Sequence, residues 1–182
     1  ELHRKLTPMV AVALAEALVE FKPLFYEDPI APKFGEGWMA LRRATRLTIM
    51  TGENIELIED ALPFLQNQAV DVLQPDLIHS GGSTGVKAIA DVAATYRTPV
   101  CLHNVTGFGL DMASQQWSAA VFNCPMLECR GNADRPPEAA SNAPVIKDGC
   151  MEVSTLPGLG LDLNQDYLKE MRSEGEPWWG DE

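Results

Sequence analysis

Phe25-Tyr26-Glu27-Asp28-Pro29 is the stretch whose reading decides the fold. An apolar pair runs out of a strand, a carboxylate sits at its end, and a proline stops it. Glu27 has equally spaced counterparts, Glu1 and Glu53 (27 − 1 and 53 − 27 are both 26). Glu1 is followed two places on by His3, and Glu53 closes the run Leu47-Thr48-Ile49-Met50-Thr51 through a glycine. Acids at equally spaced strand ends predict three copies of one strand–helix unit. Parallel neighbouring strands would bring the three carboxylates to one rim, where they repel one another unless a cation sits between them. Hard oxygen donors of this kind suit Mg2+ or Mn2+.

Outward from this stretch the rhythm continues. Thr7-Pro8 is a helix start, a hydroxyl cap followed by proline at the first helical position. Val10, Leu14, Ala17, Leu18 and Phe21 then mark one helical face. The spacing predicts strands over Leu24–Tyr26, Leu47–Thr51, Val70–Gln74, Pro99–Leu102 and Pro125–Leu127. Helices are expected over Trp38–Arg46, after the Ser80-Gly81-Gly82 turn (with Val86, Ile89, Ala90 and Ala93 inward), and over Asp111–Val121. Pro63 argues against a long helix through Ile55–Gln66, leaving a short one starting at Asp60. Polar residues close every strand, at positions 1, 27, 53, 76, 103 and 128, a step of 23 to 27 residues. That period fits the units of a (β/α)8 barrel, whose chemistry lies at the C-terminal strand ends. A Rossmann-type open sheet is the competing α/β arrangement, but it concentrates chemistry at one crevice. Gly81-Gly82 and Gly158-Leu159-Gly160 match no full nucleotide fingerprint and are weak phosphate candidates.

After Glu128 the rhythm breaks. Residues 136 to 144 read as loop, Asp148-Gly149 as a turn, Met151–Val153 as a strand, and Asn164 as the cap of a helix over Gln165–Arg172. The polar tail carries Trp178 and Trp179. Residues 1–130 are therefore expected to form barrel units and 131–182 a segment that packs elsewhere.

The composition bounds the partners. At 182 residues and 46% apolar, the chain can bury one core. A net charge of −12 argues against nucleic acid and anionic membranes as partners. The longest apolar stretch, Met9–Phe21, is too short to span a bilayer and is interrupted by Glu16 and Glu20. Four cysteines without a C-x-x-C pair read as reduced thiols in a cytoplasmic protein. The sequence opens on a candidate ligand without an initiator methionine, so further residues are expected upstream.

Taken together, Glu1-Leu2-His3, Tyr26-Glu27-Asp28-Pro29, Thr51-Gly52-Glu53, Gln74-Pro75-Asp76, His103, Glu128 and Pro157-Gly158-Leu159-Gly160 resemble the enolase superfamily in its mandelate racemase branch. The order and spacing carry the resemblance, over nearly the whole chain. It implies the C-terminal part of a (β/α)8 barrel, strands three to eight. An N-terminal capping domain and the first two strands have no counterpart in the sequence, and residues 131–182 would return toward that cap. It implies Glu1, Glu27 and Glu53 as Mg2+ ligands (Mn2+ as the substitute), Asp76 and His103 as a dyad, and Glu128 near the substrate carboxylate. A histidine two places after the first ligand, as His3 is, resembles acid-sugar dehydratases of the galactonate dehydratase type. Glu1 stands where the family usually has Asp, and Asn104–Gly109 differs from the proline-containing loop of galactonate dehydratases.

The reaction so implied begins with loss of a proton α to a carboxylate, and a divalent cation offsets the charge that develops. His103, oriented by Asp76, is the expected base and His3 the acid for a departing β-hydroxyl. A small carboxylate, an acid sugar, is the expected substrate, and the complete protein is expected to be a homo-oligomer. Racemase, epimerase and cycloisomerase chemistry share the first half-reaction and stay open, as does a catalytically silent fragment. Taken singly, a strand-end Glu is more often a solvated loop acid, and His3 an ordinary loop histidine. His79 reads as structural, and Asp28 as the residue that orients the turn after Glu27.

Overall fold

The computed structural model describes residues 1–130 and 136–178; Trp179 and the first residues of the 131–182 segment lie outside them. Helix α1 (Pro8–Leu18) opens with Thr7 accepting the Val10 amide and leads to strand β1 (Tyr26–Glu27). Then follow α2 (Glu36–Ala44), β2 (Ile49–Thr51), α3 (Ile58–Gln66), β3 (Val72–Leu73) and α4 (Gly82–Thr95). The alternation ends with β4 (Cys101–Leu102), α5 (Phe108–Ala120) and β5 (Met126–Leu127).

All pairings among β1–β5 are parallel and in chain order. Tyr26 faces Ile49, Met50 faces Val72, and Cys101 faces Met126. Single parallel bridges, Leu73 with Val100 and Asp76 with His103, join β3 to β4. On the other flank Leu2, Leu6 and Ile30 extend the arc, through the Leu2 amide on the Glu27 carbonyl and a parallel bridge from Leu6 to Ile30. Six strand-like segments in sequential parallel order, each crossing over through a helix, form an arc of a (β/α) barrel.

Alternation along the strands separates two packed layers. Ile49, Leu73 and Leu102 point to the helices and join Trp38, Leu41, Phe64, Leu65, Val86 and Ile89 in the main core. Met50, Val72 and Cys101 point the other way and pack together with Phe25. Trp38 meets Phe64 edge-on at 5.1 Å and donates from its indole N–H to the Ala31 carbonyl.

Several expected elements shift. Helix α1 buries Ala11 and Ala15, while Val10 and Phe21 are exposed and the last turn tightens to 3-10 over Val19–Phe21. Small residues let α1 lie close to its neighbours: Tyr26 donates its hydroxyl to the Ala11 carbonyl, and a Cβ at Gly37 of α2 would sit 2.8 Å from Pro8. Helix α3 starts at Ile58 rather than at Asp60, with Pro63 inside it. The only backbone acceptor this orphans is the carbonyl of exposed Glu59 in the first turn, where water can satisfy it. Asp60 does not start α3; it accepts the Leu57 amide from the third helical position.

Beyond β5, the Asp148-Gly149 turn joins β6 (Ile146–Lys147) to β7 (Cys150–Met151), antiparallel, so the expected Met151–Val153 strand lies earlier in the chain. Helix α6 (Gln165–Met171) is capped by Asn164, as expected. This region is tied to α5: Gln115 donates to the Glu152 carbonyl and accepts the Ser154 amide, and Gln116 donates to the Ser154 carbonyl. Gly81 and Gly82 both have left-handed φ (77° and 67°), so the α4 entry turn itself accounts for them.

Candidate active site

Every strand of the arc ends in a polar side chain on the same rim. Glu27 is the last residue of β1, Glu53 lies two residues past β2, Asp76 three past β3, and His103 and Glu128 one past β4 and β5. Glu1, His3, Glu27, Glu53, His103 and Glu128 line one cleft of about 300 Å3, together with Val105 and Arg130. The turn that delivers Glu53 depends on Gly52, whose φ is 147°, and a Cβ there would lie 2.6 Å from the Gln74 amide nitrogen. Only glycine permits β2 and β3 to approach so closely at this rim.

Glu1, Glu27 and Glu53 each offer a carboxylate oxygen within 4.8 Å of the others'. Burial, with the hydrogen bond and charge of Glu1 and the charge of Glu128, pushes the Glu27 carboxyl up to about 7 against a lowering contact from Gln74. Burial and the neighbouring carboxylates of Glu1 and Glu128 are what raise it. Three convergent hard oxygens therefore fit a divalent cation.

The dyad is made across β3 and β4. His103 Nδ1 lies 2.6 Å from Asp76 Oδ2, and Asp76 Oδ1 accepts the Ile78 amide at 2.6 Å. The hydrogen bond to Asp76 holds the His103 imidazole above its ordinary pKa against the opposing effect of burial. Burial pushes the Asp76 carboxyl up, but the hydrogen bonds from His103 and the Ile78 amide outweigh it and hold the group below its usual value. With Nδ1 committed to Asp76, Nε2 faces the cleft, 3.3 Å from Glu53 Oε2.

His3, exposed like Glu1, has Nδ1 3.9 Å from carboxylate oxygens of both Glu1 and Glu53. Arg4 donates to its Nε2 at 3.0 Å, which leaves Nδ1 as the nitrogen that carries a proton. Glu128 is held by the Asn104 amide at 3.0 Å and by the Gln74 side chain at 3.4 Å. His79 lies with Nδ1 3.0 Å from the Glu53 carbonyl, a structural position.

The structure thus brings all seven candidate residues to one rim. Sequence reasoning missed the side chains that hold them. Arg4 reaches Asp28 at 2.9 Å and pairs with Glu53, while Asp28, buried, also accepts the Thr51 hydroxyl. Asn104 binds Asp111 and the Glu128 carbonyl, both at 2.9 Å. A cation three places after the first acid was the available signal for Arg4. Neither Gln74 nor Asn104 has a comparable pattern.

The sequence model of the Enolase C-terminal domain-like family matches residues 1–167. The chain belongs to that family. Within it, the chain is 33% identical over 181 residues to a D-xylonate dehydratase of Haloferax volcanii, covering 99% of this chain and 44% of that protein. It is 27% identical over 168 residues to a D-mannonate dehydratase of Sphingomonas sp., covering 91% of this chain and 42% of that one. Among solved structures, the 3,6-anhydro-D-galactonate cycloisomerase of Zobellia galactanivorans superposes with a TM-score of 0.84 at 28% identity, over 92% of this chain and 48% of that one. The chain therefore spans less than half the length of these relatives. The enolase-like fold accounts for the common rim, since it sets every strand's C-terminal end on one side.

The four cysteines are free, Cys101 buried and Cys150 exposed. No helix among the described residues is long and apolar enough to cross a membrane.

Proposed function

We propose that the protein containing this chain dehydrates an acid sugar, by removing a proton α to a carboxylate in a site that requires a divalent cation. The convergence of the Glu1, Glu27 and Glu53 carboxylates beside the Asp76–His103 pair carries this reading. The dehydratase names of its relatives support it. Residues 1–130 supply the barrel units, and the segment beyond them is read as the part that runs toward the capping domain.

Glu1, Glu27 and Glu53 would hold Mg2+, with Mn2+ as a substitute. When bound, the cation supplies Lewis-acid stabilisation for negative charge on the substrate carboxylate. His103 Nε2 takes the α-proton, and the Asp76 carboxylate on Nδ1 stabilises the imidazolium that results. His3, as the imidazolium and so released from its Arg4 contact, gives a proton to the β-hydroxyl, which leaves as water. The enol so formed ketonises to a 2-keto-3-deoxy acid. Glu128, fixed by Asn104 and Gln74, faces the substrate carboxylate.

The test is a panel of aldonates, D-xylonate, D-mannonate, D-gluconate and D-galactonate, incubated with the full-length protein and Mg2+. Appearance of a 2-keto product supports dehydration. Exchange of the α-hydrogen with solvent, without product, would favour the racemase or cycloisomerase reading that the Zobellia structure makes the natural alternative.

A further inference from the structure

We propose that Arg4 is the built-in counter-ion of the carboxylate rim: it fixes Glu53 and Asp28 and weakens divalent-cation binding by competing for the same negative charge. This rests on the metal reading of Glu1, Glu27 and Glu53 above. The Arg4 guanidinium is mostly buried, lies 2.9 Å from Asp28 Oδ2, and pairs with Glu53 Oε1. Both of those carboxylates are themselves buried. Arg4 is thus a permanent positive charge in contact with one of the three proposed ligands.

The backbone is bent to put it there. His3 (φ 51°) and Arg4 (φ 62°) are consecutive left-handed residues without being glycine, and Asp28 (φ 42°) is a third. The Arg4 amide also donates to the Asp28 carbonyl at 2.6 Å, so backbone and side chain grip the same residue. Three unfavourable backbone conformations gathered around one ion pair show that neighbouring contacts hold the arrangement in place.

Two consequences of removing the charge have the same sign. Without Arg4, Glu53 and Asp28 repel the other acids more strongly, so the cation-free rim is worse off. A bound dication also loses a positive neighbour a few ångströms away. Glu53 keeps its place through the Gly52 turn and the contact of Oε2 with His103. Affinity for the cation should therefore rise, at the expense of stability without it.

The measurement is calorimetric titration of the full chain with Mn2+ alone, paired with metal-free melting. Arg4→Gln should bind Mn2+ about tenfold more tightly or better, and melt several degrees lower without metal. Arg4→Lys, which keeps the charge and loses the planar fork, should bind within about threefold of wild type. An Arg4→Gln chain that folds only when Mn2+ is added, where Arg4→Lys folds without it, supports the proposal too. Unchanged or weaker binding by Arg4→Gln overturns it, as does an equal gain in both variants, since charge would then not be the cause. A wild-type chain that binds no Mn2+ refutes the metal reading and this proposal with it; tight wild-type binding with an unresponsive Arg4→Gln refutes the counter-ion alone.

Discussion

Asp76 Oδ2 lies 2.6 Å from His103 Nδ1 across two neighbouring parallel strands, and this contact decides which imidazole nitrogen faces the cleft. Asp76→Asn removes the acceptor that selects the tautomer. The variant should lose on the order of 10²- to 10⁴-fold in kcat while remaining folded. Steady-state kinetics with circular dichroism as the folding control check this.

His3→Asn should fail differently from a variant at His103. Product formation should drop by roughly 10²- to 10⁴-fold, as for loss of a general acid. Exchange of the substrate α-hydrogen with solvent should persist, because its removal falls to a residue on another strand. Proton NMR in D2O separates the two rates.

Glu27→Gln should abolish the rise in melting temperature that Mg2+ or Mn2+ gives the wild type, since a ligand stabilises only the state that binds it. The metal-free variant should melt at the same temperature or higher. Glu27 is held near 7 by burial and by Glu1, so neutralising it relieves repulsion that the folded state otherwise carries. Thermal melts with and without millimolar metal are the check.

Much of this architecture was legible because strand-end chemistry and chain spacing are both linear signals. Glu1, Glu27 and Glu53 are equally spaced, and parallel strands in chain order turn equal spacing into a shared rim. Buried face and strand length were less legible. The face of α1 is set by Ala11 and Ala15, whose small size allows close approach, whereas periodicity favours large residues such as Val10 and Phe21. Pro63 pointed to a short helix starting at Asp60, because local rules see the lost N–H and not the exposed carbonyl that lets the helix begin at Ile58. Arg4, Gln74 and Asn104 act through contacts 24 to 54 residues away, which no local pattern encodes.

Cys101 and Cys150 should differ sharply in reactivity. Burial, with the charges of Cys124 and other neighbours, pushes the Cys101 thiol from 9.0 up to about 12. At pH 8 a thiol reagent should label Cys150 rapidly and Cys101 only on unfolding. A thiol raised in the folded state leaves the unfolded state with fewer bound protons above pH 9.0, so stability should fall as pH climbs from there toward 12. Cys101→Ala should flatten that decline in a denaturant series.

The central claim, that His103 removes an α-proton in a carboxylate-rimmed metal site, is tested most directly by one comparison. Wild type and His103→Asn, each as the full-length protein with Mg2+ in D2O, are given the aldonate that the panel identifies, and 2-keto product and α-deuterium are followed by mass spectrometry. The account predicts that wild type gives product and that His103→Asn gives neither product nor exchange. A folded His103→Asn protein that eliminates water at the wild-type rate would contradict it.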